Sequence, residues 1–294
     1  MRQTAAFALP CMTDTFDTAP LVLLYRDASL LVVDKPPGLL VHRTALDAHE
    51  FDTVVERLRQ QLPAQLGADA PALLAPAHRL DKGTSGLLVF ACEIAAAQAL
   101  AAAFEQGLVH KRYLALVRGW PAPEQRCEHP LARDPELPST GQPQLPACTD
   151  FRRLARIEWP FQVDGRHASS RYALVEAQPQ QGRRHQIRRH LKHLGHPIVG
   201  DATHGKGPHN RAVAQWLGHG RLWLHALDLT LPHPCTGQPL ALHTPPDAAW
   251  QALFARGEWQ WDEGTEAVRA IGAMGGLQAG DNRQPGDLPN PSNS

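Results

Sequence analysis

The chain has 294 residues, 43% of them hydrophobic, and a formal net charge of zero. That is ample for one large domain or two small ones, and it gives no compositional sign of nucleic-acid binding, so any such sign must come from local clusters of basic residues. Cys11, Cys92, Cys127, Cys148 and Cys235 are odd in number and hold no C-x-x-C pair, which excludes a disulfide framework and points to free thiols in a reducing compartment. No apolar run approaches membrane-spanning length and no signal-peptide pattern opens the chain, so a cytoplasmic protein without a membrane partner is expected.

Residues 1–19 form a weakly patterned leader. Apolar runs at 21–25 and 30–33 flank the polar turn Arg26-Asp27-Ala28-Ser29 and predict a strand pair. Asp34-Lys35-Pro36-Pro37-Gly38 then forces a turn, because the prolines remove donors and Gly38 tolerates positive φ. Near it, Lys35, His42 and Arg43 read either as solvated loop charge or as a basic rim. Residues 52–62 predict an amphipathic helix: Val54, Val55, Leu58 and Leu62 share one stripe, and Asp52 or Thr53 can cap it. The Ala-, Pro- and Leu-rich stretch 63–76 reads as a loop.

Residues 77–91 join unlike parts at close range. His78 and Arg79 are followed by one carboxylate, Asp81, then by the small-residue turn Gly83-Thr84-Ser85-Gly86, then by an apolar run fit for a buried strand. A carboxylate in a loop leading into a buried strand is held by rigid structure yet stays at the surface, where reactive groups tend to sit. The plain alternative is an Arg79–Asp81 surface pair. Residues 93–106 are Ala-rich and predict a helix ending at Gly107. Beyond Lys111 the β-formers predict a strand, in which Tyr113 taken alone would be an ordinary core aromatic. Residues 132–149, rich in Pro, Ser, Gly and Gln, read as a surface insertion. Residues 151–159 and 169–177 predict two meander strands about an Asp164-Gly165 turn.

Residues 182–197 are the most basic stretch. Ile187, Leu191 and Leu194 keep helical spacing, so a helix opened by Gly182 and closed by Gly195 and Pro197 is predicted. It carries no acidic residue, and such self-repulsion is better explained by an anionic partner than by solvation. Its four His lack a neighbouring Cys or an H-E-x-x-H pattern, so no metal is expected. Downstream, a turn at 200–201, a short helical piece at 212–217, a strand at 221–231, a hairpin turn at 233–240 and a closing helix at 245–256 with Trp250 and Phe254 inward are predicted. Residues 263–294 offer little to bury and read as a disordered tail.

Four strings in order, LLVVDKPPGLLVH, HRLDKGTSGLLVFA, KRYLALVRG and GRRHQIRRH, resemble the motifs of the RluA-type pseudouridine synthases, and the resemblance covers roughly residues 21–261. It implies the pseudouridine synthase fold: α+β (mixed α/β), a largely antiparallel central sheet with surrounding helices, over a catalytic domain at 20–262. The meander-like strands support α+β independently. The implied reaction breaks the N1–C1′ bond of uridine, turns the base and joins C5 to C1′, with no redox step, so no cofactor is expected. By resemblance, Asp81 is the catalytic carboxylate, Arg188 pairs with it, and Tyr113 packs on the base. Arg79 occupies the space the base vacates. Ile187 walls the pocket, and His78, Lys111, Arg183, His185 and Arg189 contact RNA. No second acid stands beside Asp81 in the sequence, so a paired-carboxylate glycosidase scheme is not supported.

Within the family the details fit best the branch that modifies uridine 65 in the T-arm of tRNA: no small S4-type domain precedes the first motif, and the strings RRHQIRRHLKHLGHPIVGD and HGKGPHNR look like that branch's versions. The expected partner is therefore tRNA, bound by a monomer. A ribosomal-RNA synthase of the same family and a non-catalytic RNA-binding module are the rival readings. Asp34, where relatives often carry Asn, and Lys82-Gly83 in the variable slots are departures expected to be harmless.

Overall fold

The computed structural model describes residues 19–43, 49–163 and 165–265. The expected leader, Asp164 of the expected turn and nearly all of the expected tail lie outside the described residues. In chain order the elements are β1 (Val22–Arg26), β2 (Leu30–Lys35), α1 (Val54–Leu66), β3 (Ala75–Pro76), β4 (Ser85–Ala91), α2 (Ile94–Glu105), β5 (His110–Arg118) and β6 (Glu124–Cys127). There follow β7 (Leu131–Ala132), β8 (Gln144–Leu145), β9 (Thr149–Trp159), β10 (Ser170–Pro179), α3 (Gln186–His193), α4 (Gly207–Leu217), β11 (Leu224–Pro232), β12 (Pro239–His243), α5 (Ala248–Phe254) and β13 (Gln260–Trp261). The fold is mixed α/β. One eleven-stranded sheet runs in the order β1-β2-β4-β11-β5-β10-β9-β13, with β12, β3 and β6 as side strands. Its pairings are antiparallel except where β4 and β11 run parallel.

The reasons are local. Thr53 accepts a hydrogen bond from Glu56 N and opens α1, whose Val54, Val55, Leu58 and Leu62 are buried. Every residue of β4 is buried, as its unbroken apolar run requires of a strand covered on both faces. Leu87, Leu88 and Phe90 join one core with β2, α1 and α2, while Leu116, Tyr172, Trp223 and Trp250 build a second beneath α4 and α5. Phe254 is half-buried, and Leu253 takes the inward place beside Trp250.

Three regions depart from the sequence expectation: the basic helix, the stretch 132–149 and the β9 end of the sheet. The basic helix begins at Gln186, not Gly182, because His185 sits at φ 55 in the left-handed region and breaks the run. Residues 132–149 are not featureless: β7 and β8 pair as a ribbon, and Ala147 and Thr149 are buried. Gln186 Nε2 donates to Cys148 O at 2.9 Å and to Thr149 Oγ1 at 3.0 Å, so this stretch anchors α3. β6 and β13, both too short for a periodic signal, extend the β9 end of the sheet.

The β4–β11 parallel pair depends on Gly86. It holds φ +108, and a Cβ there would lie 2.3 Å from Ala226 O. Gly86→Ala is expected to cost at least about 2 kcal/mol, since strain and overlap with a backbone atom act together. Chemical denaturation of the purified variant measures this, and a midpoint equal to wild type would contradict it.

Candidate active site

The loop before β4, the start of β5, the loop after β10 and the first turn of α3 converge on a cavity of about 530 Å³. Asp81, Tyr113, Ile187 and Arg188 line it, with Arg79, Lys111 and His185 around them. A larger hollow, about 710 Å³, lies between α1 and residues 19–20 and 49–52. Its two carboxylates are already paired, Asp52 with Arg57 and Glu50 with Lys82, so chemistry and not volume selects the smaller one.

Asp81 is placed by its turn and by a buried amine. Thr84 N donates to Asp81 O at 3.0 Å, and Gly38 N donates to Lys82 O at 2.8 Å. Lys35 is 0% exposed. Its Nζ donates to Pro36 O and Leu39 O at 2.7 Å each and to Lys82 O at 3.1 Å, so the ammonium ties the Pro-Pro-Gly turn to the Asp81 loop. Burial pulls the Lys35 pKa down to about 7, against the opposing pull of Asp81. Lys35 is thus neither solvated charge nor basic rim. His42 lines the cavity, and the Arg43 guanidinium lies 5.2 Å from the centre of the Phe51 ring.

Arg188 reaches Asp81 across 107 positions of sequence: Nη1 donates to Oδ2 at 2.8 Å. Its other two contacts go to Asp201, Nε to Oδ2 at 2.7 Å and Nη2 to Oδ1 at 2.8 Å. Burial opposes the Arg188 charge, but the Asp201 bonds and the Asp81 and Asp201 charges outweigh it and raise its pKa. For Asp201 burial acts upward, yet the Arg188 bonds and charge hold the carboxyl below its ordinary range. Tyr113 stands on β5 opposite Ala177 and Ala226, its phenol pushed up first by burial and then by Asp81.

The remaining expected contacts divide. Arg79 is exposed at the cavity and Arg183 beside it, the latter with Nε donating to Pro146 O at 3.2 Å. Lys111 Nζ donates to Gln181 O at 3.0 Å, and burial pulls its pKa down to about 8. His185 Nε2 lies 3.8 Å from Asp81 Oδ1, and its Nδ1 meets His204 Nε2 at 3.0 Å. His78 turns inward: Nε2 accepts from Val89 N at 3.3 Å, the ring packs 5.4 Å from Phe104, and burial lowers its pKa to about 4. It is a neutral buttress and adds no positive charge. Arg189 turns away to donate to Ala132 O at 2.8 Å.

Sequence reasoning missed Asp201 and the pair Ser85 and His225. Arg221 Nη2 donates to Ser85 Oγ at 2.7 Å, which leaves the hydroxyl proton for His225 Nδ1 at 2.9 Å. His225 Nε2 then donates to Thr244 O at 3.2 Å, so the ring is neutral, in keeping with a pKa lowered by burial to about 4. Nothing in spacing marks these residues. The one available signal was a carboxylate two positions after the apolar pair Ile198-Val199, behind the turn residue Gly200. Among the described residues no group of three His, Cys, Asp or Glu side chains is placed to hold a metal ion, and no helix is long and apolar enough to cross a membrane.

Such a site, one carboxylate paired with a guanidinium beside a half-buried aromatic in a basic cleft, suits chemistry on a planar group carried by an anionic polymer. Comparison with known proteins gives the class. Residues 29–193 match the family model described as RNA pseudouridylate synthase. The tRNA pseudouridine synthase C of Vibrio cholerae is 40% identical over 245 residues, which are 82% of this chain and 97% of that protein. The same-named protein of Salmonella typhi is 39% identical, covering 82% and 91%. Among solved structures, human RNA Pseudouridylate Synthase Domain Containing 1 superimposes with a TM-score of 0.62 and 26% identity, covering 87% of this chain and 96% of that one. The chain belongs to the RNA pseudouridylate synthase family, and it is an isomerase that converts uridine to pseudouridine.

Three His of the site and its support, His78, His204 and His225, have pKa values pushed down to about 4 by burial. A depressed His takes up fewer protons folded than unfolded between its two pKa values, so stability falls as pH drops from about 6.5 to 4. Asp34, lifted by burial to about 6, acts in the opposite sense, but one group stands against three. The melting temperature is expected to fall between pH 7 and pH 5. A flat or rising profile over that range would contradict the neutral-core assignment.

Proposed function

We propose that this chain acts on tRNA and converts uridine 65 of the T-arm to pseudouridine, as a cytoplasmic monomer without metal or cofactor, its catalytic domain spanning residues 20–262. The observation that carries the catalytic reading is Asp81, held at the cavity by Arg188 Nη1 at 2.8 Å with Tyr113 beside it. Arg188 aims the carboxylate through this charge-assisted hydrogen bond. The uridine leaves its stack to reach Asp81. Its base packs on Tyr113 against Ile187, and Arg79 enters the space left behind.

The carboxylate then attacks C1′, or removes a sugar proton, and N1 departs with the glycosidic electrons. The freed base turns and C5 bonds to C1′, displacing the Asp81 carboxylate in the first route or adding to the glycal as Asp81 returns the proton to C2′ in the second. C5 gives up its proton and N1 takes one up, so the product is an isomer. Lys111, Arg183 and His185 face the RNA, whereas His78 and Arg189 serve it only through the structure. The tRNA substrate is supported by the names of the relatives that align over four-fifths of the chain. Phosphate contacts set position without base identity, so recognition falls to the shape of the folded arm.

Carbodiimide-based pseudouridine mapping of total tRNA and ribosomal RNA, with and without the gene, tests this. Loss of the signal at tRNA position 65 alone is expected. Loss of a ribosomal-RNA signal alone would overturn the substrate assignment, and no change in any RNA would favour a non-catalytic binding module.

A further inference from the structure

We infer that Asp201 is a positioning residue for catalysis: it draws two of Arg188's donors away from Asp81 and so leaves one oxygen of the catalytic carboxylate free. The inference rests on the reading of Asp81 as the reactive group. A guanidinium beside a lone carboxylate favours the paired, two-bond fork, which occupies both oxygens. Here that fork is spent on Asp201, through Nε and Nη2 at 2.7 and 2.8 Å. Only Nη1 is left for Asp81, and it meets Oδ2 alone. Oδ1 has His185 Nε2 at 3.8 Å, beyond hydrogen-bond reach. Asp81 therefore presents one anchored oxygen and one open oxygen, as attack on C1′ or removal of a sugar proton requires.

Burial separates the two carboxylates in the same sense. The Asp201 side chain is 1% exposed and that of Asp81 27%. The closed carboxylate holds the cation and the open one faces the cavity.

Asp201 is itself fixed on a rigid support. Its Oδ1 accepts from Thr203 N at 2.9 Å and His204 N at 2.8 Å, and its carbonyl accepts from Gly205 N at 3.1 Å and Asn210 Nδ2 at 2.9 Å. Asn210 Oδ1 in turn accepts from Gly200 N at 2.9 Å. Gly200 holds φ +79 where a Cβ would lie 1.6 Å from Arg221 O, so the loop packs directly on the segment leading into β11. The plane of the Arg188 guanidinium is thus set by the loop that carries Asp201.

A double-mutant cycle on pseudouridine formation, under single turnover with saturating enzyme, separates this role from a merely structural one. Asn keeps the acceptor for Thr203 N and His204 N but presents an amide to Arg188, releasing the fork. Asp201→Asn alone is expected to slow the reaction on the order of 10- to 100-fold, the loss typical of a misplaced reacting group, with the dissociation constant for the RNA changed by less than about 3-fold. In an Arg188→Lys background there is no fork to divert, so Asp201→Asn is expected to cost less than about 3-fold more. An equal fold-loss in both backgrounds, or no loss in either, would overturn the inference. Should Asp201→Asn fail to fold, Arg188→Ala leaves Asp201 intact as a dock. Methylguanidinium is then expected to restore its rate at least about tenfold better than methylammonium, and equal rescue overturns the inference. A wild-type chain that turns over beside an additive cycle overturns this inference alone. One that forms no pseudouridine in any RNA overturns it together with the function it rests on.

Discussion

The ion pair between Arg188 and Asp81 is the contact on which the site depends, because it joins two elements that sequence holds 107 positions apart. On one side, Asp81 belongs to a loop set by β4, whose every residue is buried, and by the Lys35 ammonium beneath it. On the other, Arg188 is carried by α3, which is tied to the start of β9 through Gln186 and His190. The sheet between them, running from β4 through β11 and β5 to β10, fixes the distance. A paired charge inside a protein is useful only where its remaining donors are satisfied. Asp201 meets that condition for Arg188, and backbone N–H groups meet it for Asp201.

The same logic of satisfaction governs the basic segment 182–193. Its charge looks excessive along the chain, and in space much of it is discharged internally. Arg184 pairs with Asp134 and Glu136 of the loop joining β7 and β8, Arg183 and Arg189 bond carbonyls of the same region, and Arg188 lies between two carboxylates. His190 takes a hydroxyl from Thr149 and donates to His129 O. The self-repulsion argued from sequence is therefore relieved partly by this chain itself, and Arg79 and Lys111 at the cavity gain weight as cationic groups facing a substrate.

How far the sequence could be read follows from what each signal measures. Periodicity reports burial, and so the α1 stripe, the β4 run and the β9–β10 meander stood where expected. Composition reports the absence of periodicity, and it misjudged 132–149, where a two-residue ribbon and single buried residues do the anchoring. Neither signal reports where a donor points. Lys35 reads as a loop charge until three carbonyls are found around its ammonium, and His78 reads as a cation until Val89 N is found against its ring. Asp201 was invisible for the same reason: its meaning lies wholly in a guanidinium 13 residues upstream that folding turns toward it.

The central claim is that Asp81 performs chemistry while affinity for RNA comes from elsewhere. Asp81→Asn keeps the shape of the side chain and removes its charge, and phosphate contacts supply most of the binding energy of such complexes. The most direct measurement pairs single-turnover pseudouridine formation with RNA binding at fixed salt for the purified Asn variant. The account predicts no detectable product and a dissociation constant within about 3-fold of wild type, an amount small beside the salt-dependent phosphate contribution. Substantial pseudouridine formation by the Asn variant would contradict it.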